Sequence, residues 1–386
     1  PTLVLRTEDG ESYTPAENVT AGGSAAESAQ IAAQSAFNTE MSNVLAGLRS
    51  EASQMAAEGK ELYETTGSAG FTGGSCWVNE LSVTSTYMTE EGLLSVVAEN
   101  YTYYGGAHPN SVSRTWSFDL TTGEFLTLDA LSSEEGNIND DSLQTSIYQN
   151  IVSQIDSQGL SEAYFDDYDS YLSDFPAFAT FYFTATGMTV AFDTYIIAPY
   201  AAGPQVFDVP YSVFYSALNE RAKTLLEVPQ EQIVLSDFDT AATLWSWLFI
   251  TTPPTENTPD EMEINGYTYY QADIPGVSTM AELRALMYRY FDKALADRWL
   301  EETERYAEAD GRLYVLSADR GSNDSIMDET CSVALDGESG TVTQTVTYGE
   351  WDEATQSRAA TGEETFAYPF TLVDGHAVFS AFPYPY

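Results

Sequence analysis

With 386 residues, 43% of them apolar and 13% aromatic, the chain is long enough for two or three domains with real cores and is too rich in core-forming side chains to be disordered. Its 59 acidic residues against 14 basic ones leave a formal charge of −45, which repels phosphate backbones and excludes nucleic acid as a partner. The same charge makes a soluble acidic surface and can also steer a cationic protein onto it.

In chain order, TPAENVTAGGS reads as loop, and residues 24–58 read as a helix. Phe37, Met41, Val44, Leu48, Ala52 and Met55 recur there at steps of three and four, which builds one apolar face. GSAGFTGGS at 67–75 is a Gly-rich connector. From 76 to 129 the pattern changes to alternation, with Val112, Arg114, Trp116, Phe118 and Leu120 on one face of a strand. TTG at 121–123 predicts a tight turn into EFLTLDAL and hence a β-hairpin. A second helix is predicted near 140–158, where Leu143, Ile147, Ile151 and Ile155 repeat every four residues. After an acid-rich stretch, residues 177–218 read as two strands turned at Thr186–Gly187. A Pro/Gly loop at 199–204, another strand and a closing helix follow.

AATLWSWLFI at 241–250 is too apolar for a free linker and is expected to pack on the last domain. The polar TTPPTENTPDE that follows it reads as a connector. A helix is predicted over 280–305, opened by Thr279 with Glu282 three positions on, the capping-box spacing. Leu283, Leu286, Met287, Tyr290, Phe291 and Leu295 form its buried side. Strands follow in GRLYVLSA, TCSVAL, TVTQTVTYGEW, EETFAYPFTLV and HAVFSAF, and no repeat at solenoid periods is found. The fold class is α+β: small sheet-and-helix units at 1–135 and 136–235, then a C-terminal domain at 236–386 with one long helix packed on an antiparallel sheet.

Templates for chemistry fail against these residues. A serine hydrolase needs a base beside its nucleophile, but there is no G-x-S-x-G, and only His108 and His376 could serve. Zinc needs clustered His or Cys, and neither H-E-x-x-H nor C-x-x-C occurs. Asp166, Asp167, Asp169 and Asp174 lie close together, but Tyr171 takes the fifth position of a calcium loop and the turn glycine is missing, so a solvated acidic loop is the reading. No phosphate loop is present, and with 59 acids some carboxylate pair always lies near enough for sugar hydrolysis, so a cell-wall glycan enzyme using such a pair stays open as a further alternative. Arg284, Arg289, Lys293 and Arg298 concentrate on one helix, where pairing with Glu282, Asp292, Asp297, Glu301 and Glu302 is favoured over anion binding. No metal and no cofactor are implied. No apolar run reaches the roughly 20 residues that cross a bilayer. Because the chain opens at Pro1 without Met or a basic leader, a signal or anchor segment is expected to have been removed. Cys76 and Cys331 fall in different predicted domains, which leaves a disulfide or two buried thiols open and favours separate thiols.

At YYGGAHPNSVSRTWSFDLTTGEFLTLDAL the chain resembles a pair of uncharacterised extracytoplasmic domains of Gram-positive bacteria. The features that carry the likeness are the aromatic-Gly-Gly-Ala-His-Pro turn (Tyr104 to Pro109), the Asp-x-x-Thr-Gly hairpin (Asp119 to Gly123) and the leucine run from Leu126 to Leu131. Residues 181–212 resemble the second member, and the likeness covers roughly 1–230. Such pairs occur in the sensor part of a lysozyme-responsive anti-sigma factor and ahead of the catalytic domain of a peptidoglycan deacetylase. Residues 1–386 are read as containing neither a deacetylase domain nor a sigma-binding helix. The resemblance therefore implies an extracellular or cell-surface location and a capacity to bind lysozyme or wall glycan, with no catalytic residue. Residues 238–386 resemble inhibitors of the DL-endopeptidases that cut peptidoglycan stem peptides, through STMAELRALMYRYFDKAL, DGRLYVLSADRGSND and the ending FSAFPYPY. The expected partners are a cationic wall hydrolase or lysozyme, or peptidoglycan fragments stacked on exposed tyrosines. Candidate ligand contacts are Tyr103, Tyr104 and His108 in the first motif and Arg320 and Asn323 in the last region. For His108 a scaffold role is favoured over ligand contact: Gly105 and Gly106 can take positive φ, Pro109 holds residue 108 extended, and the imidazole can then bond backbone.

Overall fold

The computed structural model describes residues 25–66, 78–103, 108–134, 138, 141–159, 163–255, 260–321, 323–352 and 357–385. They form two units. Unit 1 comprises the described parts of Pro1–Ser132, Gln144–Val209 and Asn219–Glu227, and unit 2 those of Ser133–Leu143, Pro210–Leu218 and Val228–Tyr386. The α+β class read from the sequence is borne out.

Unit 1 starts with helix α1 (Ala25–Thr66), eight residues longer at its C-terminal end than the predicted 24–58. Its stripe buries Ala33, Phe37 and Met41 against Leu94, Val96, Phe118 and Leu120. Ala33 apart, each of these apolar side chains removed from water contributes about 1.5–3 kcal/mol. The opposing residues belong to a sheet of β1 (Val78–Met88), β2 (Leu93–Tyr103), β3 (Asn110–Asp119) and β4 (Glu124–Phe125), in that order and antiparallel throughout. The turn at Gly123 has φ +82° and lies against the backbone of α1. EFLTLDAL is not a full strand. Pairing stops after Phe125, because the Thr127 hydroxyl accepts from Ala130 N and starts the short helix α2 (Leu128–Leu131), burying both leucines. Helix α3 (Leu143–Gln158) presents Leu143, Ile147, Ile151 and Ile155 to the interior, as their four-residue spacing predicts.

After α4 (Tyr168–Ser173) and α5 (Phe175–Phe178), a second sheet takes the order β5 (Thr180–Phe183), β6 (Gly187–Phe192), β7 (Gln205–Pro210). Phe183 N donates to the buried Ser95 hydroxyl at 3.0 Å, which joins β5 to β2. Helix α6 (Tyr211–Phe214) belongs to unit 2, whereas α7 (Glu220–Leu226) returns to unit 1.

In unit 2 the long helix is α8 (Gln230–Phe249). The apolar run at 241–250 is its second half, and Val234, Phe238, Ala241, Leu244, Trp247 and Leu248 line up on its buried face. They meet Leu283, Met287, Phe291, Trp299, Tyr368, Phe370, Phe379 and Phe382. Strands β8 (Glu261–Ile264) and β9 (Tyr267–Gln271), absent from the sequence reading, form a hairpin on Asn265 and Gly266. Both of these residues have positive φ, 52° and 84°, the geometry that an Asn-Gly turn supplies.

The helix predicted over 280–305 is two helices, α9 (Met280–Tyr290) and α10 (Lys293–Glu302). Phe291 between them is extended at φ −130° and ψ 147°, and Asp292 caps α10 by accepting from Ala294 N. Asp292 N donates to Phe379 O at 2.9 Å, so the break lets the chain pair with the sheet while Phe291 stays in the core. The capping box of Thr279 and Glu282 forms as its spacing predicts. Of the bases on these helices, Arg284 pairs with Asp297 at 3.0 Å, while Arg289 lies over the Tyr290 ring. Strands β10 (Tyr306–Ala309) and β11 (Arg312–Leu316) complete a sheet of order β10-β11-β9-β8. A last meander runs β12 (Ile326–Asp336), β13 (Ser339–Asp352), β14 (Ser357–Val373), β15 (His376–Phe379).

Candidate functional site

Strand β2 ends at Tyr103, half-buried and opposite Val78, and β3 begins at Asn110, so the YYGGAHP motif is the connection between adjacent antiparallel strands. Tyr104, Gly105 and Gly106 lie outside the described residues. His108 is exposed, and its Nδ1 lies 3.0 Å from the Pro109 carbonyl oxygen, the bond to backbone expected from the sequence. The exposed ring also lies on Tyr200, with centroids 3.7 Å apart and planes 23° from parallel. The Tyr200 hydroxyl donates to that same Pro109 carbonyl at 2.8 Å. One carbonyl thus fixes both members of the stack.

Tyr195 extends the aromatic surface, 5.6 Å from Tyr200 and 6.5 Å from His108, and 57% of it is exposed. The loop between β6 and β7 places both tyrosines. Pro199 sets an extended backbone ahead of the short turn Tyr200–Ala202, and Tyr195 is held at φ +70°, a value bulky side chains rarely adopt. That strain is maintained by Tyr195 N donating to Ala198 O, by Ile196 N donating to Asp193 O, and by Asp193 accepting from Ser113 N at 2.9 Å. Burial pushes the Asp193 carboxyl above the ordinary range, against the opposing pull of the Ser113 hydrogen bond and the Arg114 charge.

The platform is therefore two planar rings in contact and a third beside them, standing on a β3 anchor. Its chemistry is stacking and hydrogen bonding. Among the described residues no carboxylate, hydroxyl nucleophile or thiol contacts the imidazole. On the β3 and β4 side of unit 1 a cavity of about 340 Å³ is lined by Glu40, Trp116, Phe125 and Phe181 among others. Among the described residues no group of three or more His, Cys, Asp or Glu side chains is placed to hold a metal ion, and no helix is long and apolar enough to cross a membrane.

The structure divides the contacts predicted from sequence. Tyr103 and His108 belong to unit 1, and Arg320 and Asn323 to unit 2. Arg320 is exposed, with its backbone N–H donating to Ile250 O. Asn323 uses its Oδ1 within its own turn, accepting from Ser325 N at 3.1 Å and from the Ser325 hydroxyl at 2.6 Å. Tyr195 and Tyr200 were missed. Their signal lay in TYIIAPY, where two aromatics flank a short apolar run just before a Pro/Gly loop.

Residues 24–111, which include His108, match the family model described as deacetylase PdaC. Residues 137–212, which include Tyr195 and Tyr200, match the model of a protein family of unknown function, DUF3298. The two matches lie on the stretches that resemble the paired domains. The PdaC-matched stretch supplies the imidazole of the platform, and the DUF3298-matched stretch supplies both phenols.

Among solved structures, a DUF3298 family protein from Pseudomonas aeruginosa PAO1 is similar over 38% of this chain and 64% of its own length, at 18% identity and a TM-score of 0.29. A member of the same family from Bacteroides fragilis NCTC 9343 is similar over 48% of this chain and 70% of its own, at 18% identity and a TM-score of 0.32. The chain thus spans less than two thirds of the first of these proteins. No curated protein matches it.

Proposed function

We propose that the chain is a non-catalytic, extracytoplasmic binding protein of the bacterial cell wall, and that unit 1 holds wall glycan on His108, Tyr195 and Tyr200. The observation that carries this reading is the stack of His108 on Tyr200 beside the exposed, strained Tyr195. Aromatic faces left in water carry a cost unless something covers them, and sugar rings present flat C–H faces that fit such a surface. The net charge of −45 disfavours an anionic ligand, so the part of the wall glycan that suits the platform is the uncharged N-acetylglucosamine ring. The matches to PdaC and DUF3298 support the wall location. The test is calorimetric titration with neutral N-acetylglucosamine oligosaccharides. Binding whose strength changes little with salt supports the proposal, and absence of binding removes it.

A second reading is favoured by the charge. A net −45 attracts cationic proteins, so lysozyme or a basic wall hydrolase is the partner of opposite chemistry, and the likeness of residues 238–386 to endopeptidase inhibitors fits an inhibitory contact at the surface of a Gram-positive cell. Affinity for such a protein should fall steeply between low and physiological salt. Binding of lysozyme and of wall hydrolases at low salt, with their residual activity, separates this reading from glycan binding.

A further inference from the structure

Unit 2 contains a different kind of site. A cavity of about 250 Å³ opens between the end of α9, which contributes Tyr288, Arg289 and Tyr290, and the β14–β15 hairpin, which contributes Asp374 and His376 along with Val373 and Val378. Behind the hairpin, Asp237 of α8 has only 5% of its side chain exposed. One of its oxygens lies 2.9 Å from His376 Nδ1, and the other accepts from Ala377 N at 2.7 Å. A carboxylate accepts, so it is the Nδ1 of His376 that carries the hydrogen facing Asp237. The imidazole is thereby held in one orientation and one tautomer, leaving Nε2 as its second polar atom. Arg289 is exposed, and the contact the structure gives its guanidinium is the Tyr290 ring, 5.9 Å away, with no carboxylate paired to it among the described residues.

We infer that this cavity binds the head group of a free α-amino acid, its carboxylate on Arg289 with His376 alongside and its ammonium on Asp374. Charge decides for this class over a plain anion. Arg289 favours a carboxylate, but the Asp374 carboxylate lines the same cavity and the chain carries −45 overall, so a bare anion meets repulsion from both. A zwitterion satisfies Arg289 and Asp374 together at no net charge. Asp237 is a positioning residue: both of its oxygens are occupied within the fold, and it acts through the His376 ring. This inference concerns unit 2 alone and stands apart from glycan binding by unit 1.

The experiment follows the ring signals of the two histidines by ¹H–¹³C NMR in the full chain, with His376→Gln supplying the assignment. Alanine, N-acetylalanine and alaninamide are the three probes. Alanine is expected to move the His376 signal saturably while His108 stays in place, and the two half-charged probes should bind at least about tenfold more weakly, each lacking one charge-assisted contact. Arg289→Gln and Asp374→Asn should each weaken alanine binding by a similar factor. Both side chains are exposed, so these variants keep the core, and unchanged circular dichroism melting checks it. A His376 signal indifferent to alanine, equal binding of N-acetylalanine, or full affinity in Arg289→Gln would each overturn the inference.

Discussion

Asp119, the last residue of β3, is gripped by Arg221 of α7, whose Nη2 donates to its two oxygens at 2.8 and 3.0 Å. The Thr121 amide and hydroxyl also donate to Asp119, at 2.7 and 2.6 Å. The carboxylate is nearly covered, with 4% of its side chain exposed, while Arg221 keeps one side in water. Burial pushes the Asp119 carboxyl up, but the Thr121 and Arg221 hydrogen bonds and the Arg221 charge outweigh it and hold the group below the usual range. Truncating Arg221 strands a covered charge on Thr121 alone, so Arg221→Ala is expected to cost about 2–3 kcal/mol in urea unfolding. A depressed carboxyl stabilises the fold fully above about pH 4, and the contribution disappears as pH falls through its lower folded value. The acid limb of the stability curve should therefore flatten in Asp119→Asn.

Gly123 makes the second prediction. At φ +82° its position disfavours any side chain, and a Cβ there would sit 3.2 Å from the Ala33 backbone nitrogen on α1. Backbone cannot swing aside as a flexible side chain does. Gly123→Ala should cost more than about 1 kcal/mol in thermal or urea unfolding, and Gly321→Ala, at φ +80° with open space around it, should cost less.

Arg305 of unit 2 is 7% exposed and donates to the Thr251 carbonyl at 2.8 Å, to those of Ile250 and Phe249 at 3.2 and 3.4 Å, and to that of Ala318. These include carbonyls at the end of α8, where a cation also meets the negative end of the helix dipole. Arg305→Met keeps the bulk and removes every donor, so it should cost about 3 kcal/mol or more by calorimetry. Wild-type-like melting of that variant would show the carbonyls satisfied another way.

Asp239 on α8 is exposed, but crowding of its carboxyl by the surrounding chain, with the Glu329 charge, pushes that group up to about 7. A raised carboxyl binds its proton more tightly in the folded state, so folding is favoured at low pH and loses ground as pH rises from about 4 through 7. Melting temperatures measured from pH 5 to pH 8 should fall in the wild type relative to Asp239→Asn. Parallel curves would contradict this.

What the sequence made legible follows from what short-range patterns encode. Phe37 and Met41 lie four apart and Leu143, Ile147, Ile151 and Ile155 repeat every four, so α1 and α3 could be read before any tertiary contact was known. The Asn265–Gly266 turn carried an equally local signal that the reading passed over, and β8 and β9 were lost with it. The break at Phe291 was hidden because Leu283, Met287 and Leu295 keep helical spacing across it, and the competing interaction is a distant one, with Phe379. His108 and Tyr200 stack across 92 positions, and Asp237 meets His376 across 139. No periodicity links such pairs. Arg305 was invisible for another reason: composition places an arginine on the surface, and only the ring of carbonyls around it explains its burial.

The glycan platform is tested most directly by one calorimetric comparison. Neutral N-acetylglucosamine oligosaccharides, which present the uncharged sugar of the wall glycan, are titrated into the wild-type chain and into Tyr195→Ala and Tyr200→Ala, with folding checked by near-ultraviolet circular dichroism. Saturable binding by the wild type, weakened about tenfold in each variant, is the predicted result. Binding of equal strength in all three proteins, or none by the wild type, would contradict it.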